Sequence, residues 1–541
     1  MIDMKYTFKS LFILSIWGCC LWACSEKLEV PKEPYGPGAE PLRIVVDRAQ
    51  VPSPASGLPG TEVTINASGL LPYQDELIFR FNGEQADIAE VTEDHIKVVV
   101  PDFASTGITS FSVGDVVVFG PQFSVSGKIN LDPTFNAARG TNSAVSKVIF
   151  TNDERMIVVG AFTDYDNKGI IRPINRIARA FADGTYDASL RSGLGANGQI
   201  AEIIPFDDGY LIGGAFTGYS QRGGDISNLT KIHTNGTIDT VGVKPFRRPD
   251  QLDTTKYYPR FNGGFDGFVG SLYPQDGKVL VSGTFRYYIS RRYDQPNRLE
   301  TRDSVIMDSV EVRQLARLNA DGSLDKSYRF DDGADRSWEG GNGNAATLFH
   351  ETGNQAGKLL VYGNFDRFDG QPAGRILRLK ADGTIDETFN PGGAGADLDI
   401  AEADYNPATG KYLIVGSFRN YNGTPVNQMA VLNEDGTLDE TFVSRTFEGG
   451  EPTFIKQLTD GKIIVAGDFR TYEGISRNGF MVLDQSGALL VGYNATGLFN
   501  GFVDDVIETT SADGRRALLI YGFFSEFNSQ PADNFIRVLI E

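Results

Sequence analysis

The chain has 541 residues, 62 of them Gly, with 11% aromatic residues and a formal net charge of -20. That length is ample for a large core, and abundant Gly without long helical periodicity points to an all-β chain with many turns. The acidic balance speaks against nucleic acid as a partner, because neutralising phosphates needs a basic face.

Residues 1 to 23 read as an address. Lys5 and Lys9 give a positive start, and Leu11 to Trp22 form an apolar stretch too short for a spanning helix with normal flanks. Leu21-Trp22-Ala23-Cys24 resembles a bacterial lipobox. The resemblance implies cleavage before Cys24, diacylation of that residue and a firm hold on a membrane. An ordinary secretory signal that contains Cys is the alternative. Ser25, not Asp, follows the cysteine, which in lipoproteins of diderm bacteria favours the outer membrane. Glu26 and Glu29 echo the acidic surface-export signal of Bacteroidetes lipoproteins, so the cell surface is expected and the periplasmic side stays open. Residues 24 to 41 hold Pro31, Pro34, Pro37 and Pro41 and read as an extended tether. Cys19, Cys20 and Cys24 are the only cysteines, and His95, His233 and His350 lie far apart, so no metal or cofactor is expected.

Residues 42 to 126 read as a compact β unit. Strands are predicted after the turn Pro59-Gly60, at Glu76 to Phe81 before Asn82-Gly83, at His95 to Pro101, at Gly114 to Phe119 and at Phe123 to Val125. The order of motifs, above all Gly60-Thr61-Glu62-Val63-Thr64-Ile65 and Val98-Val99-Val100-Pro101, resembles an IPT/TIG domain. That implies an immunoglobulin-like sandwich acting as a spacer or interaction module.

Residues 127 to 541 repeat. Gly-x-Phe ends an apolar run at Gly160, Gly214, Gly283, Gly363, Gly416, Gly467 and Gly522. An aromatic residue follows each Gly by five: Tyr165, Tyr219, Tyr288, Phe368, Tyr421, Tyr472 and Phe527. Out of step with it runs Asp/Asn-Gly-x-Leu/Ile-Asp, clearest at Asp321 to Asp325, Asp382 to Asp386 and Asp435 to Asp439. A period above forty residues marks a repeat architecture. One unit reads as four strands; in the sixth they are 452–458, 462–469, 478–483 and 488–493. Such meanders set about a centre predict a seven-bladed β-propeller. Asp276-Gly277-Lys278 with Asn319 to Asp325 resembles the delta-sixty β-propeller repeat, a family of unknown function. The last turn, Asp484-Gln485-Ser486-Gly487, lacks the second Asp. Asp132-Pro133-Thr134-Phe135 has no blade before it, so the strand near Gly127 to Phe135 is expected to complete the last blade and close the ring.

Chemistry is harder to find. Gly193-Leu194-Gly195-Ala196-Asn197-Gly198 fits G-x-G-x-x-G, but a strand pattern follows where a dinucleotide site needs a helix. The Asp-Gly loops suit calcium in part, yet the bidentate Glu of an EF-type loop is missing, and Asp bonding its own turn accounts for the motif. The aromatics after each Gly are suited to sugars, but their presence in every copy favours packing. Spacings between successive Gly residues are 54, 69, 80, 53, 51 and 55, and the excess falls at about 241–263, 286–312 and 329–346. These insertions are expected to crowd one side of the ring. They carry Arg247, Arg248, Tyr257, Tyr258, Tyr287, Tyr288, Arg291, Arg292, Tyr293 and Trp338, residue types that make binding hot spots. The candidate ligand contacts are Trp338 and Tyr293 as stacking platforms, Arg291 and Arg292 as forked donors, and Tyr257 and Tyr258 beside them. Asp303-Ser304-Val305 and Asp308-Ser309-Val310 resemble the O-glycosylation motif of Bacteroidetes. The expected function is a lipid-anchored, non-catalytic binding module for a glycan or an envelope protein. A glycan hydrolase or lyase acting on the inserted face, or a structural scaffold, are the alternatives.

Overall fold

The structure is a computed structural model that describes residues 42–244, 255–296 and 303–541. The signal segment, Cys24, the tether, and Arg247 and Arg248 lie outside the described residues. The first β unit is a path of paired strands in the order Val45–Val46, Glu62–Ser68, His95–Val99, Glu84–Val91, Ile78–Phe81, Gly107–Val113, Val116–Val125, Ser56–Gly57. Alternation builds its core: Val63, Ile65 and Ala67 point inward from one strand, Phe79 and Phe81 from another. Phe79 meets Phe81 and Phe111 edge-on at 5.1 and 5.0 Å. Besides the two-residue strands Val45–Val46 and Ser56–Gly57, two longer strands escape the sequence reading. Glu84–Val91 buries only Ala86, and Gly107–Val113 buries Thr109 and Ser112 beside Phe111, so neither shows clean alternation. The two strands expected at 114–119 and 123–125 are one, Val116–Val125, whose partner strand shifts register between Ile108 and Ser110.

Beyond it, seven sheets of one build occur among the described residues. Their first strands are Val145–Phe150, Ile200–Phe206, Phe268–Gln275, Ala345–Phe349, Ile400–Asn406, Pro452–Gln457 and Asn500–Thr510. In each sheet the second strand pairs antiparallel with the first on one side and with a third on the other. Each first strand touches the first strand of the next sheet, and Asn500–Thr510 touches Val145–Phe150. The sheets therefore stand around an axis with their first strands innermost, an all-β, propeller-like fold.

The recurring Gly has a steric cause. A Cβ on any of the seven would lie 2.1 to 2.3 Å from a carbonyl oxygen in, or one residue before, the neighbouring first strand, such as Ala144 O at Gly160 or Glu451 O at Gly467. In six sheets that first strand carries a bulge opposite the Gly, the register skipping Ser146, Ala201, Gly270, Ala401, Thr453 or Asp504. The two out-of-step motifs also meet. The hydroxyls of Tyr165, Tyr219, Tyr288, Tyr421 and Tyr472 donate at 2.7 to 2.9 Å to the carbonyls of Gly184, Gly236, Gly322, Gly436 and Gly487 in the Asp/Asn-Gly turns and in the last turn. The same turns lie against the aromatic that ends the preceding Asp-x-x-Phe, Gly436 against Phe389 and Gly487 against Phe442.

The fourth strand departs from expectation. In sheet six it is a single bridge, Leu483 to Leu489, and sheets one to five have the same reduced form. In the intact motifs the second Asp is the cause: Asp386 accepts from the N–H and hydroxyl of Thr388, and Asp439 from those of Thr441, which turns the chain out of the sheet. The last sheet alone gains a fourth strand, Ile129–Leu131, paired with Phe535–Ile540. Arg537 secures this closure. It binds Asp132 at 2.6 Å with both side chains buried, and donates to Ala182 O of sheet one at 2.7 Å.

The first unit docks on sheets six and seven. Arg477, 2% exposed, donates to Phe103 O at 3.0 Å, Ser476 N donates to Glu84 Oε1 at 2.7 Å, and Ala495 joins the core of the first unit. The steric account of Gly is testable. Gly467→Ala should lower stability by about 2–3 kcal/mol, whereas Gly223→Ala, which has open space around its Cβ, should change it by less than about 0.5 kcal/mol. Urea unfolding of the two variants measures the difference.

Candidate functional site

The insertions converge. The hairpin Tyr287–Pro296 with Asp303–Glu311 forms the centre of a five-stranded sheet, flanked by Gly264–Phe265 on one side and by Arg336–Ser337 and Phe330–Asp331 on the other. It enlarges the short two-residue hairpin found at the same place in sheets two, four, five and six. The strands Thr240–Val243 and Lys256–Pro259 join this sheet through Tyr258, which stacks on Tyr293 at 4.1 Å and 12°.

The six candidate residues do not form one site. Tyr258 and Tyr293 present their faces to each other, so neither ring is a free platform on that side. Tyr257 is 58% exposed, and its carbonyl accepts from Arg222. Arg291 is a correction to the sequence reading. It is only 8% exposed, its guanidinium donates to Ser227 Oγ at 2.8 Å, and its backbone N–H donates to Asn262 Oδ1 at 2.9 Å. Alternation along the hairpin turns Arg291 inward and Arg292 outward, where Arg292 pairs with Asp308 at 2.8 Å. Of the two Asp-Ser-apolar motifs, Ser309 is exposed on the hairpin's second strand.

Trp338 stands apart from the other five. It lines an open groove of about 690 Å³ with Asp331, Glu339, Asp369, Lys380 and Glu387. Beneath it lies Arg329, 2% exposed, held between the Trp338 ring at 5.3 Å and the Phe368 ring at 4.7 Å. Arg329 also donates to Gly383 O at 3.0 Å and pairs with Asp369 at 2.7 Å. Sheet four has Phe368 where its neighbours have Tyr, and the guanidinium supplies the donor that the missing hydroxyl would have given. The indole is thus held by a charged group that is itself fixed on both sides.

A second cavity, of about 670 Å³, lies on the axis and draws its walls from all seven first strands. Lys147, Glu202, Ser271, Glu402 and Asp505 occupy one register, each paired with the residue before the recurring Gly. The bulge beside them aims this row at the axis. Lys147 faces Glu202 at 3.5 Å, and Lys456 holds Asp505 at 2.6 Å, with Tyr521 donating to Asp505 at 3.2 Å. Glu402 accepts from Tyr362 OH at 3.1 Å, and Asp404 from Gln457 N at 2.9 Å. Burial, together with the nearby Asp404 and Asp505 carboxylates, pushes Glu402 up to about 8. Burial and the Asp505 charge push Asp504 up to about 7. Asp504 is nonetheless solvent-exposed in the wall of the cavity. Sequence reasoning missed this row. Its readable signal was a charged residue inside an otherwise apolar first strand, as in Val145-Ser146-Lys147-Val148-Ile149-Phe150. The Asp-Gly turns are bound within themselves: Asp321, Asp382 and Asp435 accept from the Ser or Thr two residues on.

Four stretches of the ring match one family. Residues 303–328, 357–389, 408–442 and 458–489 match the model described as "Domain of unknown function (DUF5122) beta-propeller". No curated protein matches the chain. Among solved structures, the chain is similar to the WD40 beta propeller domain of Doa1 at 13% identity and a TM-score of 0.40, over 76% of this chain and 96% of that one. It is also similar to an auxiliary nutrient binding protein from Bacteroides ovatus at 12% identity and a TM-score of 0.27, over 92% and 99% of the two chains. Another auxiliary nutrient binding protein, from Bacteroides thetaiotaomicron, aligns at 11% identity and a TM-score of 0.21, over 78% and 96%. None of these likenesses is close enough to carry a ligand or a residue role across.

The raised Glu402 has a consequence for stability. Its folded pKa lies above its unfolded value of about 4.3, so the folded state holds a proton that the unfolded state gives up between those values. Stability therefore falls as pH rises through that window. Glu402→Gln should raise the melting temperature more at pH 8.5 than at pH 5, as read by thermal scans at the two values.

Proposed function

We propose that this chain is a lipid-anchored protein of the bacterial cell envelope whose ring is a non-catalytic binding module for a glycan or an envelope protein. In this reading the seven sheets are seven propeller blades, and residues 42–126 are an IPT/TIG-like sandwich that spaces the ring from a lipid on Cys24. No helix among the described residues is long and apolar enough to cross a membrane. The groove at Trp338 carries the binding reading. A half-buried indole, backed by a clamped guanidinium and bordered by carboxylates and Lys380, offers both a stacking face and hydrogen-bond partners. Neighbours named for nutrient binding are consistent with such a role and supply no detail of it.

A glycan array and a pull-down from envelope extract test the groove. Trp338→Ala should weaken the ligand found by about 2 kcal/mol, roughly thirty-fold, with an unchanged circular dichroism spectrum. Equal binding by the variant would remove the groove from the account, and turnover of a polysaccharide would replace the binding module with an enzyme. The anchor is tested separately. Mass spectrometry of the membrane fraction should find Cys24 as an acylated N-terminus, and an unmodified soluble protein would refute it.

A further inference from the structure

The connection between the second and third strands of sheet one is longer than its counterparts. Arg176 stands eleven positions after Tyr165, whereas Arg375, Gln428 and Asn534 stand seven after Phe368, Tyr421 and Phe527. All four of these later residues have positive φ and lead into a third strand. The four extra residues lie at the tip: Arg172-Pro173 matches Thr424-Pro425 of sheet five, and Asp166 to Ile171 replaces Asn422-Gly423. Local bonds hold the root of the loop. The Asp164 carboxylate accepts from Gly169 N–H, Lys168 N–H donates to Tyr165 O at 2.9 Å, and Ile174 N–H donates to Thr163 O at 2.9 Å. Ile170 and Ile171 are left at the apex, 73% and 97% exposed. A lone exposed apolar residue needs no explanation, but here an insertion adds two side by side and packs neither.

The charges around the apex are a second observation. Lys168 and Arg172 flank the pair and are both exposed. Lys168 lies 3.7 Å from Asp166, and Arg172 forms no ion pair among the described residues. Exposed Arg139 stands beside them, its backbone N–H on Asp166 Oδ1 at 3.3 Å. An acidic chain thus carries an apolar point within a collar of cations. Place is a third observation. Connections between second and third strands leave the ring at one end, because every sheet runs in the same sense about the axis. The first unit stands on that end, against Ser476 and Arg477 of sheet six and on sheet seven, which adjoins sheet one. The chain leading back to Cys24 enters the first unit at residue 42. A specific protein contact buries about 800 Å² per partner over a matched face. Two residues at an apex offer a point instead, to which a fluid surface adapts. We propose that this tip inserts into a lipid bilayer, with Ile170 and Ile171 below the headgroups and Lys168, Arg172 and Arg139 against anionic lipid. The setting rests on the envelope reading above, but the contact needs no lipid on the protein.

The test is flotation with liposomes of the chain from residue 24, carrying Cys24→Ser so that no acyl chain is attached. This chain keeps every described residue. One set of vesicles is phosphatidylethanolamine with about 30% phosphatidylglycerol, and the other replaces the anionic lipid with phosphatidylcholine. The anionic set should bind with a constant on the order of 10³ M⁻¹, below that of a single acyl chain. Binding should weaken as salt rises. Ile170→Ser with Ile171→Ser should lower it at least about tenfold. Lys168→Gln with Arg172→Gln should lower it about tenfold on anionic vesicles and little on neutral ones. Val443→Ser, at a residue 57% exposed elsewhere on the ring, should leave it unchanged. Absence of vesicle binding, undiminished binding by the isoleucine variant, or an equal loss in Val443→Ser would each overturn the proposal. So would retention of an envelope protein, but not of vesicles, by the unaltered loop and not by the isoleucine variant, since the tip would then be a protein contact. A variant that does not fold leaves the salt and lipid dependence of the unaltered loop to decide, and a flat dependence refutes the proposal. Acylated Cys24 without vesicle binding refutes the tip alone, and vesicle binding without acylation refutes the anchor alone.

Discussion

At each of the seven glycines of the ring, a carbonyl oxygen of the innermost strand stands where a side chain would begin. Much else depends on that approach. It lets the first and second strands pair closely across a bulge, and the bulge rotates the residue that follows toward the axis. A motif that reads as a turn signal thus determines which side chains meet in the centre. Lys147, Glu202, Glu402 and Asp505 come from four different sheets, and one backbone constraint gives them a common register.

The sequence carried the parts of the structure that rest on backbone chemistry. Gly-x-Phe marked the second strands, and the Asp-Gly turns marked the exits of the third strands. Asp132-Pro133-Thr134-Phe135 pointed to the joining of the ring ends. It was silent where side-chain direction decides. Arg291 and Arg292 are adjacent and chemically alike, yet one is sealed against Ser227 and the other reaches solvent. Only the pleat of the hairpin separates them. Trp338 was legible as an odd residue in an insertion, but not its support: Arg329 gives Gly383 O the donor that Phe368, lacking a hydroxyl, cannot. The fourth strands were overextended in the reading because Leu/Ile-Asp looks like strand until the Asp is seen to cap a turn.

Ion pairs have two distinct uses in this ring. At the rim they are structural: Arg317 with Asp325 at 2.7 Å and Arg378 with Asp386 at 2.9 Å tie a third strand to the turn that leaves it. Those Asp carboxyls are held well below the usual range, by their Lys, Arg and hydroxyl partners working against burial. Their contribution is present above the unfolded pKa and is lost as pH falls through the folded one. On the axis the direction reverses, since burial, and after it the neighbouring carboxylates, raise Glu402 and Asp504. Acid thus loosens the rim while alkali burdens the centre, and the ring is most comfortable between the two.

The closing ladder joins Leu131 to Val538 and Ile129 to Ile540. The strand that completes the last sheet is among the first of the ring to be synthesised and waits for the very last. Until then Ile129–Leu131 and the whole of sheet seven have open edges, and the six earlier sheets can stack only as an arc. Pairing across so long a separation is slow to find. A chain stalled or cut near its end would therefore remain an unclosed crescent with two adhesive edges, prone to finding its missing strand on another copy.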